Sequence, residues 1–343
     1  MTQPSPASPT SLPALPVGLV GCGRWGRHIL RDLQALGAVV TVADPDPGAR
    51  AHAIAQGAAA VADLDQLPPD LAGYVIASPA GRHADAVEAL LERDRPIFVE
   101  KPFTTGSASA QRLAAAGRGR LFVMEKWLWH PAVRFLAALA RRKDLGPVEL
   151  LACARLQPDL PIRDVDPVWT LLPHDLSIAR EILGTLPEPR LARAEWRDGA
   201  VVGLVGLLAG GNNPATPRLH DAGPPLSGAT PLLHVEVSAA RAERQRSILL
   251  GGSEGLAFWS EGAPETVFVG RRPATARNAR DAITTGDFEP HAVAGEMPLE
   301  AELRDFLVHL AGGPPPRSSA AGGALVVERI DALRRLAGIE VDA

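Results

Sequence analysis

Three short segments hold residues whose types and spacing suit chemistry. Gly21-Cys22-Gly23-Arg24-Trp25-Gly26 is a G-x-G-x-x-G turn, where residues without side chains let backbone amides approach a dinucleotide pyrophosphate. Glu100-Lys101-Pro102 ends the apolar run Pro96-Ile97-Phe98-Val99, so its lysine projects from the carboxyl end of a strand. Ligands of open parallel sheets bind at that edge. Lys101 there suits polarising a carbonyl or sharing a proton with a hydroxyl. To act as a base near neutrality it needs burial or a neighbouring cation, because an ordinary lysine titrates at about 10.4. An oxidised nicotinamide ring would be such a cation. The third segment is Trp169-Thr170-Leu171-Leu172-Pro173-His174-Asp175-Leu176-Ser177. Pro173 suits a first helical turn, with His174 just behind it and facing a domain junction. A histidine suits reversible hydride chemistry, in which a hydroxyl proton leaves as hydride transfers.

Those residues need elements to position them. Val17-Gly18-Leu19-Val20 enters the glycine turn as a strand, and Ile29, Leu30, Leu33 and Leu36 recur at helical spacing until Gly37. The β-branched run Val39-Val40-Thr41-Val42-Ala43 ends at Asp44, which follows Gly26 by 18 residues. That spacing places a carboxylate on the adenosine ribose, where it would repel a 2′-phosphate. NAD is therefore expected rather than NADP. Helices at 49–56, 83–93 and 108–116 alternate with strands at 73–78, 97–100 and 121–125, the rhythm of a doubly wound parallel sheet. After a helix at 132–142 the chain reads mostly as strands, at 148–156, 191–197, 200–208, 233–240, 246–251, 255–259 and 265–270. One helix interrupts them at about 174–183, and two more, at 298–311 and 320–337, close the sequence. The fold expected is a Rossmann domain over 16–130, after a disordered tail at 1–15. An α+β domain with a mostly antiparallel open sheet then covers 131–343. Gly210 to Pro231, rich in Gly, Pro and Asn, reads as a long surface loop.

Composition narrows the function. At 343 residues the chain can bury two cores, and 46% hydrophobic with 22% charged residues is ordinary for a globular protein. A net charge of -4 gives no electrostatic footprint for nucleic acid or an anionic membrane. Arginine pairs at 141–142, 271–272 and 334–335 are scattered, and no large cation cluster marks a diphosphate pocket. Two cysteines, Cys22 and Cys153, neither build a disulfide framework nor fill a zinc site, which fits a reducing cytoplasm and predicts no metal. No targeting segment is expected in the first residues, and the longest apolar stretch is too short to cross a membrane.

With these motifs in place, the sequence resembles the Gfo/Idh/MocA oxidoreductases (glucose–fructose oxidoreductase, inositol dehydrogenase and relatives) from about Pro16 onward. The resemblance rests on the glycine turn, on Ser78-Pro79 with His83, on Glu100-Lys101-Pro102, on Pro173-His174-Asp175-Leu176-Ser177 and on Gly251-Gly252-Ser253-Glu254-Gly255. It implies catalytic roles for Lys101 and His174 and a cofactor-holding role for His83. It also implies a homodimer or homotetramer built through the open sheet. Gly21, Gly23, Arg24, Trp25, Gly26, Asp44, Ser78, Pro79, His83, Glu100 and Lys101 form the expected cofactor set. Lys126, Trp169, Thr170 and Asp175 form the expected substrate set, and the substrate is a sugar, cyclitol or nucleotide sugar. Two departures stand out. Thr170 occupies the place of an aspartate four residues before the histidine, and Ser177 that of one three residues after it. A threonine supplies no carboxylate to orient the imidazole, and these losses motivate the alternative of a dinucleotide-binding sensor or partner subunit without turnover.

Overall fold

In a computed structural model, described over residues 13–159, 164–210, 231–272 and 287–340, the chain forms two sheets. The first contains β1 (Pro16–Val20), β2 (Val39–Ala43), β3 (Ala59–Val61), β4 (Gly73–Ile76), β5 (Ile97–Glu100) and β6 (Leu121–Met124). All six run parallel in the order β3-β2-β1-β4-β5-β6. Both faces of the central strands are covered, which is why they are near-continuous apolar runs rather than alternating ones. The order reverses between β1 and β4, and the glycine turn leaves β1 at that point. This is where a doubly wound sheet opens a crevice at its carboxyl edge.

Helices α1 (Gly26–Ala35), α2 (Pro47–Ala55), α3 (His83–Leu91) and α4 (Ser107–Ala116) connect these strands. Asp46 caps α2 by accepting from the Gly48 and Ala49 amides, with Pro47 in the first turn. Beyond β6, α5 (Pro131–Arg142) starts at His130, whose Nδ1 accepts from the Ala132 amide at 3.3 Å.

The second sheet contains β7 (Val148–Leu156), β8 (Pro189–Arg197), β9 (Ala200–Leu208), β10 (Leu232–Ser238), β11 (Gln245–Gly252), β12 (Gly255–Ser260), β13 (Thr266–Arg271) and β14 (Phe288–Ala292). Its order is β14-β13-β12-β11-β7-β10-β9-β8, and only β7 and β10 pair in parallel. Helices α6 (Pro167–Leu183) and α8 (Ala320–Leu336) pack along one face of it. Helix α7 (Pro298–Leu310) instead returns to the first sheet, where the Phe306 ring lies 5.0 Å from Phe98 and Leu310 fills the space beside Gly73. A β-carbon on Gly73 would stand 2.7 Å from the Leu310 side chain and 3.0 Å from the Pro96 carbonyl, so a larger residue there would displace Leu310.

Three features depart from the sequence reading. Helix α6 begins at Pro167, seven residues before His174, because Asp166 and Pro167 supply a cap and a first-turn proline. Pro173 therefore sits inside the helix rather than in its first turn. There it removes one backbone bond and crowds the carbonyl four residues earlier. The edge strands β3 and β14 were not expected; one is three residues long and the other carries a proline. The expected tail and the loop between Gly210 and Pro231 lie, over 1–12 and 211–230, outside the described residues.

Candidate functional site

The glycine turn is shaped by close backbone approach. Gly21 has φ +90 and lies against the Ala77–Ser78 backbone, and a β-carbon on Gly26 would collide with the Gly21 carbonyl. At Gly23 a β-carbon would meet nothing, so the turn faces open space, with exposed Arg24 on its rim. The Ser78 hydroxyl is buried beside the turn without a hydrogen-bond partner. Asp44, 7% exposed at the end of β2, accepts from the Cys22 amide at 2.7 Å and from the Asp46 amide at 2.9 Å. Arg50 turns its guanidinium to the carbonyls of Asp44 and Pro45, both at 2.8 Å. An open cradle, an orphaned hydroxyl and a carboxylate at the second strand end fit the pyrophosphate and ribose of a dinucleotide.

The carboxyl end of β5 is two strands away. Glu100 accepts from the Trp25 indole and, at 3.0 Å, from the Lys101 amide. Burial pushes its carboxyl up, and the adjacent Lys101 opposes that shift. Lys101 sends its Nζ across to the Thr170 carbonyl of α6 at 3.0 Å. Burial brings the Lys101 amine down to about 8, Glu100 pulls it back up, and Lys126 and Arg155 push it further down. The Lys126 ammonium stands 4.6 Å from the centre of the Trp25 ring. It makes no ion pair among the described residues.

His174 follows Pro173 on α6 and is half-buried. Burial depresses its imidazole well below 6.5, and Lys101, Arg155, Lys126 and Arg246 depress it further. Its ring makes no hydrogen bond among the described residues. It meets the Trp127 ring edge-on, with centroids 6.5 Å apart. Asp175 does not orient it. That carboxylate forms a buried bidentate pair with Arg155, whose Nε and Nη2 donate at 2.9 to 3.2 Å. Lys101, at the end of β5, and His174, on α6, thus share one site, a neutral imidazole near a lysine drawn towards neutrality.

Other expected residues are placed differently. Trp169 is 5% exposed within the core, with Arg334 above its ring at 5.4 Å, so it packs α6 against α8 and does not face His174. A separation of five residues turns it about 140° around the helix. Thr170 reaches the site through its carbonyl, while its hydroxyl bonds back to the Asp166 carbonyl at 3.3 Å. His83 is buried, with Nδ1 2.7 Å from the Pro102 carbonyl and Nε2 2.9 Å from that of Ser78. Both nitrogens are engaged with backbone, so it ties two loops together rather than reaching outward. A neutral ring can donate to only one of those carbonyls. Pro79 is exposed and opens the short turn into α3.

The absence of a cation cluster, expected from the linear sequence, is corrected. Arg155 and Arg246 face each other on β7 and β11, in register, beside Lys101 and Lys126. Arg155 had a legible signal, since it falls on the same alternate positions as buried Leu151 and Cys153. Arg246, 91 residues later, joins it only through pairing. Asp164 was missed too; it accepts from the Ala80 amide at 2.7 Å and so links the approach to α6 with the first sheet. Glu302 on α7 was also missed. Its buried Oε2 has no partner, and burial, then Glu100, push its carboxyl well up. Among the described residues, no group of three or more His, Cys, Asp or Glu is placed to hold a metal ion, and no helix is long and apolar enough to cross a membrane.

Sheet order, switch point and glycine cradle define a dinucleotide-binding α/β protein with a second, mostly antiparallel sheet. Residues 15–123 match the family model described as an oxidoreductase family with an NAD-binding Rossmann fold. An inositol 2-dehydrogenase of Acidothermus cellulolyticus is 32% identical over 219 residues, which cover 60% of each chain. A UDP-N-acetylglucosamine 3-dehydrogenase of Acidithiobacillus ferrooxidans is 26% identical over 176 residues, 50% of this chain and 55% of the relative. The chain thus spans little more than half the length of these curated relatives. The solved structure of GenD2 from gentamicin A biosynthesis, in complex with NAD, superposes with a TM-score of 0.77 over 99% of this chain and 100% of that one. At 20% identity that likeness concerns the fold.

Proposed function

We propose that this protein is an NAD-dependent oxidoreductase that interconverts a secondary hydroxyl and its ketone on a sugar, cyclitol or nucleotide sugar. One observation carries the reading: Lys101, at the carboxyl edge of a sheet whose glycine turn opens onto the same edge, bonds to the Thr170 carbonyl of the helix that carries His174. Gly21, Gly23, Gly26 and Ser78 would hold the pyrophosphate, and Asp44 the adenosine ribose. Asp44 favours NAD, because its carboxylate would repel a 2′-phosphate and Arg50 is turned to backbone carbonyls. Bound NAD supplies the hydride acceptor. Lys101 donates to the substrate oxygen and lowers the cost of its negative charge. His174, kept neutral, accepts the hydroxyl proton during oxidation and returns it during reduction. Glu100 holds the Lys101 amide from behind.

NADH formation across free sugars, cyclitols, sugar acids and nucleotide sugars tests the reading. Turnover that vanishes in Lys101→Met supports it; equal turnover in parent and variant contradicts it. A second reading, a dinucleotide-binding sensor or partner subunit, is favoured by the lack of a carboxylate on the His174 ring. It predicts NADH binding with no turnover on any member of that panel.

We place the protein in a reducing cytoplasm, where buried, unpaired Cys22 and Cys153 are compatible with the conditions. Assembly as a homodimer or homotetramer would cover the outer face of the second sheet. There Leu150, Leu207, Leu249, Phe258 and Phe268 remain only partly buried in the single chain.

A further inference from the structure

The two arginines raise a question that hydride chemistry does not answer. Arg155 and Arg246 are direct partners across β7 and β11, so their side chains leave the same face of the sheet side by side. Like charges directly opposite one another weaken a sheet. Arg155 is compensated by the bidentate Asp175 and lies over the Trp127 ring at 4.7 Å. Arg246 is not compensated to the same degree. Among the described residues its ion-pair partner is Glu261, at 3.3 Å and shared with Arg244, and the buried Arg246 Nε has no hydrogen-bond partner. Lys126, nearby, is matched by an indole face and not by an ion pair. Side chains around this corner supply the walls: Trp127 and His130 stack at 4.7 Å, and Trp259 meets them edge-on at 5.7 and 5.0 Å.

A cationic surplus therefore borders His174, in a corner walled by aromatic rings. A neutral polyol offers hydroxyls, which satisfy donors but leave the charge standing. A carboxylate or phosphoryl oxygen does both, and the planar guanidinium fork suits either group.

We infer that the substrate carries an anionic group, a carboxylate or a phosphoryl, which Arg246 binds while the neighbouring carbinol is presented to Lys101 and His174. The inference rests on the dehydrogenase reading above and narrows its substrate to acidic sugars. Arg155, already held by Asp175, positions Arg246 by repulsion and closes the corner. His130, stacked on Trp127, is kept uncharged near neutrality by burial and the surrounding cations, so it does not compete for the anion.

The test uses matched ligands: a hexose, its hexuronate, its 6-phosphate and its UDP conjugate. Each is assayed for NADH formation and, by calorimetry, for binding to the NAD-saturated protein. The expected result is a preference of about 100-fold or more for an acidic member over the hexose, in Kd or kcat/KM. Arg246→Gln should cut that preference about 10- to 100-fold, and Arg246→Lys should restore part of it. Carboxylate and phosphoryl sources are separated by which acidic member wins. Equal use of hexose and acids overturns the anion inference while leaving the dehydrogenase reading intact. Tight, Arg246-dependent binding of an acid without NADH formation does the reverse. A preference unchanged in Arg246→Gln also overturns the assignment, provided the variant's thermal unfolding shows that it is folded.

Discussion

The Lys101 Nζ donates to the Thr170 carbonyl at 3.0 Å, joining two residues 69 positions apart and the carboxyl end of β5 to the interior of α6. Pro173 lies three residues further along the helix, and its missing amide leaves the adjacent Trp169 carbonyl without its helical donor. The link sets the distance between Lys101 and His174, because both are referred to the same helical turn.

Replacing Pro173 with alanine restores a helical amide and removes the ring. Helix interiors disfavour proline by about 3 kcal/mol relative to alanine, although surrounding packing already accommodates it here. The expected outcome is a variant at least as stable as the parent, with a lower kcat as Thr170 and His174 shift relative to Lys101. Denaturant unfolding and steady-state kinetics on one sample check both halves.

A burial-depressed lysine has a defined sign in stability. The folded-state value of Lys101 is about 8, against an ordinary 10.5. Between those values the unfolded chain binds more protons than the folded one, so this group makes stability rise with pH across that window. Below about pH 8 its full destabilising contribution is present. Lys101→Met should therefore exceed the parent in stability at pH 7, and the gap should narrow as pH rises from about 8 towards 10.5. Thermal unfolding of both proteins across that range checks it; a gap that widens with pH contradicts the assignment.

The same groups shape the rate. Glu100, Lys126, Arg155 and Asp164 all act on Lys101, with burial the largest influence. His174 lies well below its ordinary 6.5. The kcat/KM for oxidation should fall as pH rises through about 8, where Lys101 loses the proton with which it supports the substrate oxygen, and show no loss centred at 6.5. A clear acid limb at 6.5 would mean that the imidazole is far less perturbed than its surroundings require.

Breaking the Arg155–Asp175 pair leaves an uncompensated buried guanidinium. Removing one partner of such a pair costs about 3–5 kcal/mol, so Asp175→Ala should lose stability on that scale in chemical denaturation. A loss below about 1 kcal/mol would show that Arg155 finds another partner or water.

Much of the site could be read from the chain because its parts are local. The glycine turn, Asp44 and Glu100-Lys101 each sit at the end of a short apolar strand, and strand ends in a parallel sheet share one edge. His174 was found by its motif, but its position in the helix was not, because Asp166-Pro167 gave an earlier start. Side-chain direction was harder. Trp169 and His174 are near in sequence yet turned apart by the helix, and His83 is consumed by two carbonyls that only the fold brings to it. The arginine pair was invisible, since β7 and β11 become neighbours only through sheet topology. Glu302 is brought within the electrostatic reach of Glu100 by a helix that returns to the first sheet from late in the sequence.

The most direct test of the central claim is single-turnover NADH formation from the best substrate of the panel by the parent, Lys101→Met and His174→Ala. Each protein is first saturated with NAD and shown to bind it. Both variants should lose about 10²–10⁴-fold in the rate of hydride transfer, with NAD affinity within a few-fold of the parent. Parent-like rates in either variant would contradict the paired roles assigned to Lys101 and His174.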